Sequence, residues 1–327
     1  MTAAEQMRYT YLGPAGTFSE AALLSLEGAA EAERAASNSV PQALARLRTG
    51  DAEAAMVPIE NSVEGGVTAT LDAIATGGDL RIVAEVLVPI RFILVARPGT
   101  SVEQVRTVST HSHAWAQVRG WMDAHLPHAH YLPGSSTAAA ALALLGPEGA
   151  GIGYEAAVCS PIIAQQHPEL AVLAEDIGDN ANAVTRFVLV RTAEAPMPER
   201  TGADKTTLMI PLPEDRPGGL MELLEQFTAR GVNLSRIESR PTGKALGTYF
   251  FSIDAEGHVT DARMRNALRG LHRISPGVQF LGSYPRADGV RSEVASQYAD
   301  AAFEAADAWV EGLSGPSAST RDDHPLK

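Results

Sequence analysis

A short apolar run rich in valine, from Phe187 to Val190, is preceded directly by two polar residues, Thr185 and Arg186. A run of this kind is typical of a strand that is buried in a sheet. In α/β folds, polar side chains at the end of such a strand often bind ligands. Taken alone, the segment is more often a loop with a solvated arginine, so its meaning depends on the rest of the chain.

Strand-like and helix-like segments alternate through the first 190 residues and are joined by short loops. Strands are predicted at 9–12, 54–59, 105–110, 150–153 and 170–175, and helices at 40–48, 69–75, 138–145 and 154–163. This order predicts an α/β fold with mostly parallel sheets. Two consecutive extended segments, 80–89 and 90–96, are expected to carry the chain into a second lobe.

Three loops in this region place hydroxyl or amide groups beside the start of a helix, at residues 13–19, 60–68 and 135–137. The amides at the start of a helix bind anions well. Together the loops predict a cleft that holds carboxylates through neutral donors, with Arg186 as the main candidate charge. The G-x-G-x-x-G spacing of dinucleotide sites and the Gly-Lys-Ser/Thr of phosphate-binding loops are both absent.

A second domain is predicted after a proline-containing linker at 193–203. Strands at 205–212, 234–240, 248–254 and 278–284, with helices at 221–230 and 262–272, follow the ferredoxin-like order β-α-β-β-α-β. The predicted domains are 8–192 (lobe one 8–85 plus 184–192, lobe two 86–183), 204–285, and a tail at 286–327. A helix near 294–310 and a flexible end from Gly312 are expected in the tail.

Composition excludes several classes of protein. A net charge of −13 argues against binding to nucleic acids and to anionic membranes. Cys159 is the one cysteine among 327 residues, which excludes an intrachain disulfide and a cysteine-rich metal site. His111 and His113 are spaced i, i+2 and do not share a helix face, so no metal site is expected there. We see no secretory signal and no membrane span, so a cytoplasmic location is expected.

Several separate motifs, in the same order, resemble those of prephenate dehydratases that carry a C-terminal ACT regulatory domain. They are Tyr11-Leu12-Gly13-Pro14-Ala15-Gly16-Thr17-Phe18-Ser19, Val57-Pro58-Ile59-Glu60-Asn61-Ser62, Thr110-His111 running to Gln117, Ser135-Ser136-Thr137, Thr185-Arg186-Phe187, Gly218-Gly219-Leu220-Met221 and Glu238-Ser239-Arg240-Pro241. The resemblance covers about residues 9–285.

The resemblance implies a two-lobed catalytic part similar to periplasmic-binding-protein type II folds, with prephenate in the cleft between the lobes. Thr185 would assist the loss of the ring hydroxyl, by positioning and hydrogen-bond donation, because a threonine is a very weak acid. The other implied substrate-binding residues are Arg186, Phe187, Asn61, Ser62, Thr110, Gln117, Ser135, Ser136, Thr137 and Thr17. Helix starts near Thr17, Thr68 and Ser136 are expected to bind the carboxylates. The reaction needs no redox cofactor and no metal.

The ACT part resembles a phenylalanine sensor, and such domains typically pair side by side, so a homodimer or homotetramer is expected. The implied regulatory residues are Gly218, Gly219, Leu220, Met221, Asn233, Leu234, Glu238, Ser239 and Arg240. The chain departs from the family pattern in three places. Thr110-His111-Ser112-His113 replaces Ser-His-Pro-Gln, Val118 replaces a cysteine, and Gly219 and Met221 replace alanine and valine.

Two other functions remain open at this point. An arogenate dehydratase would need a group for the substrate ammonium, for which Glu60 and Glu64 are candidates. A non-catalytic amino-acid sensor would share both domains, but Thr185-Arg186-Phe187 and Gln117 argue against it. A DNA-binding regulator is disfavoured by the acidic balance and by the lack of a recognisable helix-turn-helix segment.

Overall fold

The structure of the protein, a computed structural model, describes residues 7–63, 65–75, 78–146, 151–212, 214, 216–241 and 249–313. The chain divides into two compact units, residues 1–198 and 199–327. Predictions made for Glu64, Ala150, Thr248 and the chain after Leu313 fall outside the described residues.

The N-terminal unit alternates strands and short helices along the sequence. Its strands are β1 (Arg8–Leu12), β2 (Glu33–Ser37), β3 (Ala54–Asn61), β4 (Gly65–Gly66), β5 (Leu80–Pro89), β6 (Ile93–Ala96), β7 (Thr107–Thr110), β8 (His130–Pro133), β9 (Ala156–Cys159), β10 (Ala171–Ala174) and β11 (Val184–Thr192). Its helices are α1 (Phe18–Leu24), α2 (Val40–Arg48), α3 (Thr68–Ala75), α4 (Ser112–His125), α5 (Thr137–Ala143) and α6 (Pro161–Gln166).

These strands form two sheets, one in each lobe. The first has the order β2-β1-β3-β11-β5, with β4 paired to β3, and the second has the order β10-β6-β9-β7-β8. The prediction of mostly parallel sheets is wrong. β1 is parallel to β2 and β3, but β11 is antiparallel to both of its neighbours. The reason is that β11 returns from the second lobe and enters the first sheet in the opposite direction.

The two crossings between the lobes lie side by side. β5 stays in the first sheet to its last residue, where Pro89 pairs with Val184 of β11. The Ile90 amide then donates to the Ala183 carbonyl at 2.8 Å. The predicted lobe boundary at residue 85 therefore lies inside a strand, and the chain leaves the first lobe four residues later.

Residues 150–163 fold differently from the prediction of a strand followed by a helix. Ala156–Cys159 is a fully buried strand between β6 and β7, and the helix that follows begins only at Pro161. The alanine-rich composition favours a helix, but burial between two strands overrides that propensity. Cys159 is a buried hydrophobic residue, as predicted. The edge strand β2 was not predicted, because Glu-Arg-Ala-Ala-Ser lacks strand-forming residues.

The core of the first lobe forms where β11 lies against β3. Phe187 and Leu189 pack with Tyr11, Leu23 and Met56, all buried. Burying an aliphatic or aromatic side chain of this size contributes about 1.5–3 kcal/mol. The apolar run that follows Thr185 and Arg186 is therefore a central strand, and its first residues are held in place at the lobe boundary.

The C-terminal unit has the order β-α-β-β-α-β, and this confirms the predicted ferredoxin-like fold. Its elements are β12 (Asp204–Pro211), α7 (Gly219–Thr228), β13 (Leu234–Pro241), β14 (Tyr249–Glu256), α8 (Ala262–Ile274) and β15 (Gln279–Pro285). The sheet order is β13-β14-β12-β15 and all pairs are antiparallel. Leu223 and Phe227 of α7 pack with Met264 and Leu271 of α8 in its core.

Two further elements follow the last strand. A 3₁₀ turn spans Ser296–Tyr298, and the helix α9 spans Asp300–Leu313. The predicted helix at 294–310 therefore begins six residues later than expected. Within the described residues, no helix has the length and apolarity needed to cross a lipid bilayer.

Candidate functional site

A cleft with a volume of about 410 Å³ opens between the two lobes of the N-terminal unit. Eight of the predicted site residues line it: Thr17, Asn61, Gln117, Ser135, Ser136, Thr137, Thr185 and Phe187. The other lining residues are Leu12, Gly13, Phe18, Ser19, Asn38, Pro58, Ile90, Phe92, His111, His113 and Ala114. The structure thus brings together residues that are more than 160 positions apart in sequence.

Thr185 and Asn61 are cross-strand neighbours on β11 and β3. The Asn61 Nδ2 donates a hydrogen bond to the Thr185 Oγ1 at 2.9 Å. The Asn61 Oδ1 accepts from the Val63 amide at 2.7 Å, which fixes the orientation of the side-chain amide. Because the Thr185 oxygen acts as an acceptor in this pair, its own proton is directed elsewhere. Thr185 is 6% exposed and lines the cleft, so its proton is available to a bound molecule.

Ser62 does not line the cleft. Its amide donates to the Val184 carbonyl at 2.9 Å, and its Oγ accepts from the Val184 amide at 3.0 Å. These two bonds fasten the end of β3 to the start of β11. Ser62 therefore positions Thr185 through the backbone, and its predicted contact with substrate is not supported.

Arg186, the predicted charge for the substrate, is also absent from the lining. Successive side chains of a strand point to opposite faces, so Arg186 lies behind Thr185 and Phe187. Its guanidinium is buried and forms ion pairs with Glu60 at 3.0 Å and with Glu85 at 2.7 Å. The structure therefore gives no support for the predicted binding of substrate by Arg186, and the charge of Arg186 is balanced inside the first lobe.

Thr110 is fully buried and is likewise not part of the lining. Its hydroxyl donates to the Val158 carbonyl at 2.8 Å and so joins β7 to β9. The predicted binding of substrate by Thr110 is likewise not supported by the structure. A polar residue at the end of a strand reaches the cleft only if its side chain lies on the face toward the cleft.

Helices α1, α4 and α5 begin at the cleft. Thr17 precedes α1, and its hydroxyl donates to the Leu12 carbonyl at 3.2 Å. Ser136 caps α5 by accepting from the Ala139 amide at 2.9 Å. The first amides of these helices present positive ends of backbone dipoles, which favour a carboxylate. Thr68, the third predicted helix start, is not among the lining residues.

Among the described residues, the lining contains no arginine, lysine, aspartate or glutamate, and its ionisable side chains are His111 and His113. The sequence alone suggests these histidines only as metal ligands, a role that their spacing disfavours. They stand at the start of α4, with ring centroids 5.1 Å apart. Their place in the motif that runs from Thr110 to Gln117 was the signal that could have assigned them to the cleft.

Gln117 lies on α4, one turn after His113. Its Nε2 donates to the His113 carbonyl at 3.2 Å, and its Oε1 accepts no hydrogen bond from a described residue. The Gln117 carbonyl accepts from the Asp179 amide at 2.8 Å, so the helix is tied to the segment that leads back into β11. The geometry thus leaves an amide oxygen available in the cleft.

Apart from Ser19 and Asn38, the rest of the cleft wall is largely apolar. Phe18 of the first lobe meets Phe92 of the second edge to face, with centroids 5.6 Å apart, and Ile90 and Phe187 lie among the same lining residues. This surface was not predicted, because it depends on a contact between lobes. Its chemistry suits a six-membered carbon ring. In the described part of the chain, no three histidine, cysteine, aspartate or glutamate residues are grouped as metal ligands.

The predicted regulatory residues occupy two places in the C-terminal unit. Gly219 lines a pocket of about 270 Å³ at the start of α7, together with Leu212, Glu214 and Arg216. Gly218 precedes the helix with φ of 86°, a conformation that favours glycine, and Leu220 and Met221 follow it. The other predicted regulatory residues lie on β13 or directly before it: Asn233, Leu234, Glu238, Ser239 and Arg240. Met221 and Ile237 are 62% and 46% exposed, so one protomer leaves apolar surface uncovered at both places.

Comparisons with known proteins agree with this geometry. A family model described as prephenate dehydratase matches residues 9–195, and one described as ACT domain matches residues 206–273. A prephenate dehydratase of Amycolatopsis methanolica is 43% identical over 303 residues, which cover 93% of this chain and 96% of that protein.

Solved structures show the same likeness. The crystal structure of prephenate dehydratase from Arthrobacter aurescens in complex with L-Phe is 62% identical with a TM-score of 0.90, covering 95% of this chain and 100% of that one. The prephenate dehydratase of Staphylococcus aureus is 26% identical with a TM-score of 0.71, covering 85% and 100%.

Proposed function

This chain belongs to the prephenate dehydratase family, and we propose that Thr185 is the residue that helps the ring hydroxyl of prephenate to leave. The protein is a carbon–oxygen lyase that converts prephenate to phenylpyruvate, water and carbon dioxide. The observation that carries the assignment is the hydrogen bond from Asn61 to the Thr185 oxygen at 2.9 Å. Because the Thr185 oxygen accepts in that bond, its proton is not used there and can be donated to a molecule in the cleft.

The reaction breaks two bonds of the substrate. The bond between the ring and its carboxylate breaks, carbon dioxide leaves, and the electron pair moves through the ring. The bond between the ring and the hydroxyl oxygen then breaks, the ring becomes aromatic, and the departing hydroxide takes up a proton to form water. Hydroxide is a poor leaving group, so a hydrogen bond from Thr185 to that oxygen stabilises the transition state.

The charges of the cleft suit this reaction. The carboxylate on the ring loses its charge as it becomes carbon dioxide, so a fixed cation beside it would stabilise the substrate more than the transition state. We therefore assign carboxylate binding to the neutral donors at the starts of α1 and α5, at Thr17 and Ser136, with His111 and His113 nearby. The apolar wall at Phe18 and Phe92 holds the ring.

Arogenate fits the cleft less well than prephenate. Its ammonium would need a carboxylate, and Glu60 is already paired with Arg186 at 3.0 Å. The described lining holds no other acidic side chain, and Glu64 lies outside the described residues. Prephenate is the better substrate on these grounds.

We propose that L-phenylalanine regulates the enzyme at the C-terminal unit. The support is the ACT match at residues 206–273 and the L-Phe complex of the Arthrobacter aurescens relative at 62% identity. The start of α7 at Gly218 and Gly219 would contact the effector, with β13 of a second protomer covering it. We also propose that the protein is a homodimer or a dimer of dimers, which would supply the second protomer, and that it works in the cytoplasm.

The direct test is formation of phenylpyruvate from prephenate by the purified protein, with no added metal or cofactor, in the presence and absence of L-phenylalanine. We expect turnover, and we expect L-phenylalanine to change it. Turnover of arogenate in preference to prephenate would contradict the assignment of substrate. Turnover that is indifferent to L-phenylalanine would contradict the assignment of the effector alone.

A further inference from the structure

Helix α9 at the end of the described chain packs against its own unit only at its first turn. Asp300 accepts from the Ala262 amide at 2.8 Å and from the Arg200 guanidinium at 2.8 Å. Beyond Phe303 every residue of the helix is exposed, including Trp309 at 67% and Leu313 at 66%. An isolated helix of 14 residues with bare apolar side chains is marginal in water. The exposed apolar residues of α9 therefore indicate a contact surface for another part of the assembly.

The same helix carries an acidic stripe beside these apolar residues. Glu304, Asp307 and Glu311 are spaced i, i+3 and i+7, which places them on one face, and Val310 lies next to them. Within the described part of the C-terminal unit, none of the three acids forms an ion pair. From Glu304 to Glu311 the stripe rises by seven residue steps, or about 10.5 Å along the helix axis.

A basic stripe of matching length lies on α8. It consists of three arginines spaced i, i+4 and i+8: Arg265, Arg269 and Arg273. They line a concavity with a volume of about 810 Å³, together with Leu268 and with Arg230, which follows α7 in the chain. From Arg265 to Arg273 the arginine stripe rises by eight residue steps, or about 12 Å along the helix axis. None of these four arginines forms an ion pair with another described residue of the unit. Burial, and after it the nearby Arg273, lower the pKa of Arg230.

An arrangement of like charges at i, i+4 destabilises a helix. Arg273 stands in the last turn of α8, where a cation stabilises the helix dipole, and Arg265 lies near Asp300, whose pKa it helps to lower, but neither reason applies to Arg269. In a chain with a net charge of −13, three aligned arginines form a local patch of opposite sign. Such a patch is suited to an acidic partner.

We propose that α9 of one copy of the chain lies across the arginine stripe of a second copy. Its acids then face Arg265, Arg269 and Arg273, and its Val310 meets Leu268. Within its own chain, α9 brings Asp300 of its first turn near Arg265, whereas Glu304, Asp307 and Glu311 are exposed to solvent. In a two-fold dimer the exchange is reciprocal, so both stripes of both copies are used.

A cross-link between two different chains tests the contact. One full-length variant carries Asp307→Cys and the other carries Arg269→Cys. Burial raises the pKa of the native Cys159 thiol to about 12, so that thiol stays protonated and unreactive. After mixing under mild oxidation, we expect a disulfide that joins one chain of each kind. Ala305→Cys, on the opposite side of α9, serves as the matched control and should cross-link poorly to Arg269→Cys.

Charge reversal then tests complementarity in the same assay. Adding Glu304→Lys and Glu311→Lys to the Asp307→Cys chain should slow cross-linking roughly tenfold, the scale of a few exposed ion pairs. Adding Arg265→Glu and Arg273→Glu to the other chain should restore the rate.

Two results would overturn the proposal. One is equal cross-linking by the Asp307→Cys and Ala305→Cys chains. The other is the absence of a cross-link between chains, combined with a specific effect of inorganic phosphate. In that case phosphate would raise the melting temperature of the wild type but not that of the variant with both Arg265→Glu and Arg273→Glu. That second result would assign the arginines to a small anion.

Discussion

The Asn61 side-chain nitrogen lies 2.9 Å from the Thr185 oxygen, and the Asn61 oxygen accepts from the Val63 amide at 2.7 Å. The second bond fixes which end of the amide faces Thr185. The threonine oxygen thereby accepts a hydrogen bond from the protein, and its own proton is not used in that bond. A hydroxyl that sits at the start of β11 is in this way oriented by its neighbour on β3.

Replacing Thr185 by valine should lower kcat by about 10²–10³-fold, because the isosteric side chain lacks the donor to the leaving oxygen. Thr185→Ser keeps the hydroxyl and should retain most of the turnover. Rates of phenylpyruvate formation measure both variants, and thermal unfolding checks that the fold is kept. A Thr185→Val enzyme with normal kcat would remove Thr185 from the chemistry.

Asn61→Asp should lower kcat by about 10-fold to 10²-fold, since the carboxylate accepts the Thr185 proton and turns the donor away from substrate. The matched control is Asn38→Asp, which adds the same charge to another residue of the same cleft lining. We expect Asn38→Asp to raise KM by repulsion of the anionic substrate while kcat is largely kept. Equal effects of the two variants on kcat would show that charge alone is responsible.

Arg186→Gln should destabilise the protein without a specific effect on substrate binding. Removing one partner of a buried ion pair leaves an uncompensated charge and costs about 3–5 kcal/mol. Here Glu85, also buried, would lose its partner at 2.7 Å. Chemical unfolding should show the loss, and the folded fraction should keep its KM. A raised KM with unchanged stability would return Arg186 to the substrate site.

The contrast between Thr185 and Arg186 shows what could be predicted from sequence. The apolar run after them identified a buried strand, and the motifs around Asn61, Gln117 and Ser136 identified residues that the fold brings to one cleft. Because successive side chains of a strand point to opposite faces, Thr185 and Arg186 must lie on different faces of the sheet. Which of the two faces the cleft cannot be read from the sequence. Its partners, Glu60 and Glu85, lie on two other strands.

Other features depend wholly on tertiary contacts. The strand Ala156–Cys159 has the composition of a helix and becomes a strand because β6 and β7 pair with it. The contact of Phe18 with Phe92 joins lobes whose spacing no local pattern encodes. The edge strand at Glu33–Ser37 has weak strand propensity and forms because β1 offers it a full parallel partner.

Gly16→Ala should impair catalysis more than its backbone strain alone predicts. Gly16 has φ of 79°, and a β-carbon there would overlap the Ile163 side chain of the other lobe. The Gly16 carbonyl also accepts from the Ser160 hydroxyl at 2.6 Å, so the residue sets the spacing between the lobes.

Gly28→Ala is the matched control, since Gly28 has φ of 74° and open space around it. Both variants should lose about 1–2 kcal/mol of stability from the left-handed backbone. Only Gly16→Ala should also raise KM for prephenate several-fold, because the cleft is forced open. Equal KM values in the two variants, measured by initial rates, would show that the spacing between the lobes does not limit substrate binding.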